Sequence, residues 1–119
     1  MRKSVLFVLA TLGAATPALA GQSATVDRTG YTAIAAGDLS TAEQRILAER
    51  KIFPQRPELM LNLASVYRRT GRESEARALY AAVLERPSVA MDLPSGSVIS
   101  SHDLASRALA RQGPQLATR

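Results

Sequence analysis

Glu58-Leu59-Met60-Leu61-Asn62-Leu63-Ala64-Ser65-Val66-Tyr67-Arg68-Arg69-Thr70-Gly71 sets Met60, Leu63, Ala64 and Tyr67 at i, i+3, i+4 and i+7, the spacing of one buried helix face. The spacing predicts a helix over about 58–70. Pro57 suits its first turn, where the missing N–H would have had no partner. Gly71 closes it, being free to adopt the left-handed conformation that ends helices. Beyond the glycine, Ala76, Leu79, Tyr80 and Val83 form a second stripe over about 73–85, which Pro87 stops. Two helices joined by so short a turn form a hairpin.

Moving back by 34 residues gives the same arrangement a second time. Ala36-Gly37-Asp38 falls on Thr70-Gly71-Arg72, Ala42 on Ala76, and Ile46 on Tyr80. A period of that length denotes stacked helical hairpins. Ser40-Thr41-Ala42-Glu43 reads as a capping box, with Ser40 capping a helix over about 41–53 and Glu43 reaching back. Its expected buried stripe is Leu39, Ala42, Ile46 and Phe53. The preceding element, about 27–36, carries Tyr31, Ile34 and Ala35 at helical spacing, with Thr29 and Gly30 weakening it.

After Pro87 the pattern changes. Residues 88–100 contain Pro94, Ser95, Gly96 and Ser97 and read as a loop that packs along the hairpin. Ser100 and Asp103 offer a second capping pattern, followed by Leu104, Ala105, Ala108 and Leu109 on one face of a helix over about 101–112. Val98, Ile99, Leu104 and Leu109 are expected to cover the open face of the second hairpin, because two hairpins alone bury too little. Residues 113–119 read as a disordered tail.

At the other end, Arg2 and Lys3, an apolar run from Val5 to Ala15 and the small residues of Thr16-Pro17-Ala18-Leu19-Ala20 have the layout of a secretory signal. Cleavage is expected after Ala20, leaving a short flexible segment, 21–26, and a periplasmic or secreted protein. The apolar run is shorter than the roughly 20 residues that span a bilayer. No membrane span is expected after cleavage. Once Arg2 and Lys3 are gone, thirteen basic residues face ten acidic ones, a modest excess with no aromatic-interleaved basic run, so nucleic acid is not an expected partner. The chain has no cysteine, which excludes disulfides and thiol chemistry. A single histidine, His102, beside Asp103 and without a nucleophile elbow, gives no catalytic constellation, and no metal or other cofactor is expected.

The residues at this spacing resemble the tetratricopeptide repeat family. In the second hairpin the likeness rests on Asn62, Leu63, Ala64, Tyr67, Gly71, Ala76, Tyr80, Val83 and Pro87; in the first, on Gly30, Gly37, Ala42, Ile46 and Pro54. It covers 27–87. The resemblance implies an all-α fold: a right-handed stack of two helical hairpins, completed here by a C-terminal capping helix. It also implies a groove lined by the first helix of each hairpin, which receives a peptide or helix of a partner. Carried onto this chain, that lining is Glu58, Leu61, Asn62, Ser65, Arg68 and Arg69, with Asn62 able to hold a peptide backbone or to link the hairpins. Arg68 and Arg69 could bind a carboxylate through paired donors or lie solvated at a helix end. The expected function is an exported adaptor that binds a protein or peptide. The alternative is a structural, self-associating subunit of a cell-envelope assembly, that is, a homo-oligomer.

Overall fold

The computed structural model describes residues 27–113. The expected signal (1–20), the mature N-terminal segment (21–26) and nearly all of the expected tail (113–119) lie outside the described residues. The described chain runs α1 (Tyr31–Ala35), α2 (Leu39–Arg50), α3 (Pro57–Arg69), α4 (Glu73–Leu84), β1 (Ala90–Asp92), β2 (Val98–Ser100) and α5 (Ser101–Gln112). It is mostly helical, with one small antiparallel sheet. α1 packs on α2, α2 on α3, α3 on α4, and α5 on both α4 and α3.

The first element is shorter than its sequence predicts. Gly30 adopts φ 71°, so the chain turns at 27–30 instead of coiling, and Asp27 closes the turn by accepting from the Ala33 N–H at 3.2 Å. Only Ala33 of α1 is buried; Tyr31 and Ala35 are exposed. Gly30 could not be replaced freely, since a Cβ there would sit 2.7 Å from Ile46 Cγ1.

Helix α2 also departs from expectation at both ends. Its cap is Asp38, whose carboxylate accepts from the Thr41 N–H at 3.1 Å, and not Ser40. Asp38 stands at the N-cap position three residues before Thr41, and that hydrogen bond holds its carboxyl below the usual range. Glu43 therefore does not reach back along its own helix. It instead takes the Arg72 guanidinium in a two-point ion pair, 2.6 and 2.9 Å, which ties the start of α2 to the start of α4. At the far end, α2 stops at Arg50, so Phe53 lies on the turn, 46% exposed, with the Arg56 guanidinium over its ring.

Gly37 and Gly71, 34 residues apart, take φ 80° and 81°, and α2 and α4 each begin two residues later. Between these turns α3 is buried on two sides. Leu59, Leu63 and Val66 pack with Ala33, Ala42 and Ile46; Met60, Leu61 and Ala64 pack with Ala76, Tyr80, Val83, Ala105 and Ala108. Tyr67 and Leu79 touch both groups. Leu59 and Val66 fall outside the single stripe read from sequence because a helix packed between two layers needs apolar residues on both faces.

Residues 88–100 are only partly loop, because Ala90–Asp92 and Val98–Ser100 pair as strands. Met91 pairs with Ile99, Ala90 with Ser100 and Asp92 with Val98, and Gly96 turns the hairpin at φ 83°. The hairpin is fixed to α5 by two bonds across its base: Ser101 N–H to Val89 O at 2.8 Å, and Val89 N–H to the buried Ser101 Oγ at 3.0 Å. Ser100 caps α5 through its hydroxyl, which accepts from the Asp103 N–H. Leu104 and Leu109 pack on the second apolar group as expected, together with Met91. Val98 does not: it is 64% exposed, on the hairpin face opposite the core, and Ile99 belongs to neither apolar group.

Candidate functional site

A continuous groove runs along the outer side of α3, made of three adjoining hollows. The first, about 220 Å³, is bounded by Thr29 and Tyr31 from the α1 side, Glu58 and Asn62 from α3, and Met91 and Asp92 from β1. The central hollow, about 250 Å³, shares Tyr31, Asn62, Met91 and Asp92 with it and continues over Leu61, Ser65, Arg68, Tyr80, Leu104, Ala108 and Arg111, under Leu93 and Pro94. The third, about 430 Å³, shares Arg68 and Arg111 and adds Arg69, Glu73 and Gln112. All six residues expected from the sequence therefore border one groove.

Their surroundings differ. Leu61 is 8% exposed and forms floor, not rim. Asn62 Nδ2 donates to Thr29 O at 2.9 Å, so one of its two N–H groups links the hairpins. Arg69 does the same more weakly, its Nη1 donating to Ile34 O at 3.4 Å. Glu58 lies 3.7 Å from Arg56 Nε in an exposed ion pair of little consequence for stability. Arg68 is the exception: its Nε is buried with no protein acceptor. Gln112 Oε1 in the third hollow is an unmatched acceptor, while its Nε2 donates to Glu73 Oε2 at 2.9 Å.

The basic end of the groove has three guanidiniums, Arg68, Arg69 and Arg111, and one carboxylate, Glu73. Tyr80 lies at the floor of the central hollow, and burial pushes its phenol above the ordinary range, partly opposed by the positive charges of Arg68 and Arg111. The opposite end carries Glu58 and Asp92. The groove is thus apolar in the middle, with charge of opposite sign at its ends.

Sequence reasoning missed Tyr31, Arg111 and the β1 wall. For Arg111 a signal existed: Leu104, Ala108 and Arg111 stand at i, i+4 and i+7, so the arginine continues the inward stripe of α5. For β1 none did, since three residues leave no measurable alternation.

His102 stands outside the groove. Its Nε2–H donates to Arg86 O at 2.5 Å and fastens the start of α5 to the end of α4. Among the described residues no group of three histidines, cysteines or carboxylates is placed to hold a metal. No described helix is long and apolar enough to cross a membrane. The chain matches no protein-family model, no curated protein and no solved structure.

Proposed function

We propose that this chain is a small exported adaptor of tetratricopeptide-like build, acting in the periplasm or outside the cell, which binds a protein or peptide in the groove along α3. The observation that carries the reading is the buried Arg68 Nε, a donor without an acceptor at the edge of an apolar hollow. Leaving such a group unmatched is costly, and a ligand oxygen would satisfy it. The form of the groove agrees: three adjoining hollows of about 220, 250 and 430 Å³ in line along α3 suit successive side chains of an elongated ligand. The repeated Gly37 and Gly71 turns and the shared start of α2 and α4 support the repeat reading.

Affinity capture from an envelope fraction tests it, with the wild-type chain against Arg68→Ala/Arg111→Ala. Neither arginine holds the hairpins together by a hydrogen bond, so helicity and melting should be retained while capture is lost. Equal capture by both proteins refutes the groove.

A second reading, a self-associating subunit of an envelope assembly, has its own observation. Leu47, Ile52 and Phe53 are 39%, 67% and 46% exposed near the end of α2. Sedimentation decides: a stable homo-oligomer dispersed by Ile52→Glu/Phe53→Glu supports this reading, and a monomer supports the adaptor.

A further inference from the structure

We propose that the groove takes its ligand as an extended strand, hydrogen-bonded to the open edge of β1, with a basic, an apolar and an acidic side chain at alternate positions. This rests on the groove reading above and specifies the conformation and chemistry of the occupant.

The edge follows from the hairpin register. Leu93 N–H donates to Ser97 O and Ser101 N–H to Val89 O, so the pairs that exchange hydrogen bonds fall at the odd-numbered residues of the first strand. In an antiparallel pair these alternate with pairs whose N–H and C=O groups point outward. Those belong to Ala90 and Asp92, both exposed. Four main-chain groups are therefore presented to solvent at an edge with no lysine or proline within it to discourage pairing. The hollows beside α3 are walled by Met91 and Asp92 and not by any residue of β2, so it is the outer edge of β1 that borders them.

The side chains of an added strand alternate between faces. Those on the Met91 face point toward the hollow, because Met91 packs on the apolar group beneath it. They recur at i, i+2 and i+4, about 13 Å from first to last at the rise of a strand. Along α3, Glu58 and Arg68 are separated by about 15 Å at the rise of a helix. A cationic side chain at i therefore meets Glu58, since Asp92, paired with Val98, turns its carboxylate to the opposite face of the hairpin. An apolar one at i+2 enters over Leu61, and an anionic one at i+4 reaches Arg68 and Arg111, where the unmatched Nε waits. The pairing fixes which charge lies at which end of the groove, cation by Glu58 and anion by Arg68, and the order along the peptide then follows from the direction in which the strand adds.

A displayed library of random dodecapeptides, selected on the purified mature chain, provides the probe. The expected consensus is basic, any, apolar, any, acidic, or the same order reversed, according to the direction in which the strand adds. For a selected peptide, N-methylating one alternate set of amides should raise Kd at least tenfold while methylating the other set changes it less than threefold. Ala90→Pro, which removes an outward N–H and no hairpin bond, should also weaken binding at least tenfold without moving the melting temperature. No binder, a consensus at helical spacing, or equal tolerance of both methylated sets overturns strand addition. The peptide scan leaves the protein unaltered, so it decides even where Ala90→Pro perturbs the hairpin. If Arg68→Ala/Arg111→Ala abolishes peptide binding and neither backbone change does, the groove stands and the strand fails. If none of the three matters, both fail.

Discussion

Replacing Gly30 by alanine should be among the most damaging single-methyl changes available to this protein. Two penalties add. An alanine held at φ 71° pays about 1–2 kcal/mol for the left-handed backbone. Its Cβ would also stand 2.7 and 2.8 Å from Ile46 Cγ1 and Cδ1 and 3.2 Å from Ala42 O, inside a fully buried group. Overpacking of that kind costs about 1–3 kcal/mol. The expected loss is therefore about 2–5 kcal/mol. Gly37→Ala is the internal control: at φ 80° it carries the backbone penalty, but nothing lies within 4 Å of the added carbon, so it should lose only about 1–2 kcal/mol. Urea unfolding of the three proteins, followed by far-ultraviolet circular dichroism, gives both differences. In an Ile46→Ala background the Gly30→Ala loss should fall toward the control value, since the two colliding carbons are gone. If Gly30→Ala costs no more than Gly37→Ala, or if its cost is unchanged by Ile46→Ala, the close approach of α1 to α2 is misdescribed.

The remaining predictions concern the joints between layers. Glu43 has its carboxyl lowered by the Arg72 hydrogen bond, so its contribution is present above the ordinary carboxylate pKa and is lost as pH falls through the lowered value. Glu43→Gln should melt below wild type at pH 7, and the gap should close in acid below pH about 4; a gap independent of pH refutes the ion pair. Ser101→Ala leaves the Val89 N–H without its acceptor and should cost about 1 kcal/mol in urea unfolding, with the hairpin amides losing exchange protection before those of α5. Leu63→Ala, at a fully buried position of α3, should cost about 2–5 kcal/mol. Truncation after Pro87 removes Ala105 and Ala108 from the core and should lower the melting temperature sharply; an unchanged melt would mean that α5 does not complete the fold.

The sequence made α3, α4 and α5 legible because each has an apolar stripe bounded by a signal that agrees with it: Pro57 and Gly71 for α3, Pro87 for α4 and Ser100 for α5. The six residues expected on the groove side of α3, Glu58, Leu61, Asn62, Ser65, Arg68 and Arg69, come from the repeat resemblance and not from the apolar stripe, which does not show that Leu61 is buried. What the sequence obscured depended on distance along the chain. Asp38 and Ser40 both suit a cap; the helix starts at Leu39 on Asp38, and Glu43 turns to Arg72, 29 residues away, a partner that no local pattern shows. Gly30 reads as a weak helix residue until Ile46 is seen against it. The hairpin at 90–100 is too short to show a period, and its register depends on Ser101, which local sequence presents only as the first residue of a helix.

Tyr67 and Leu79 belong to both apolar groups, and α3 supplies residues to each. Neither hairpin can then lose its order while the other keeps its own, and the protein should unfold in a single cooperative step despite its repeated plan. The amides of α3 would exchange with solvent only when the whole molecule opens, whereas those of β1 and β2, on the rim, would exchange by local opening. A groove whose wall breathes while its floor stays fixed can admit and release a bound chain without any change in the helices beneath it.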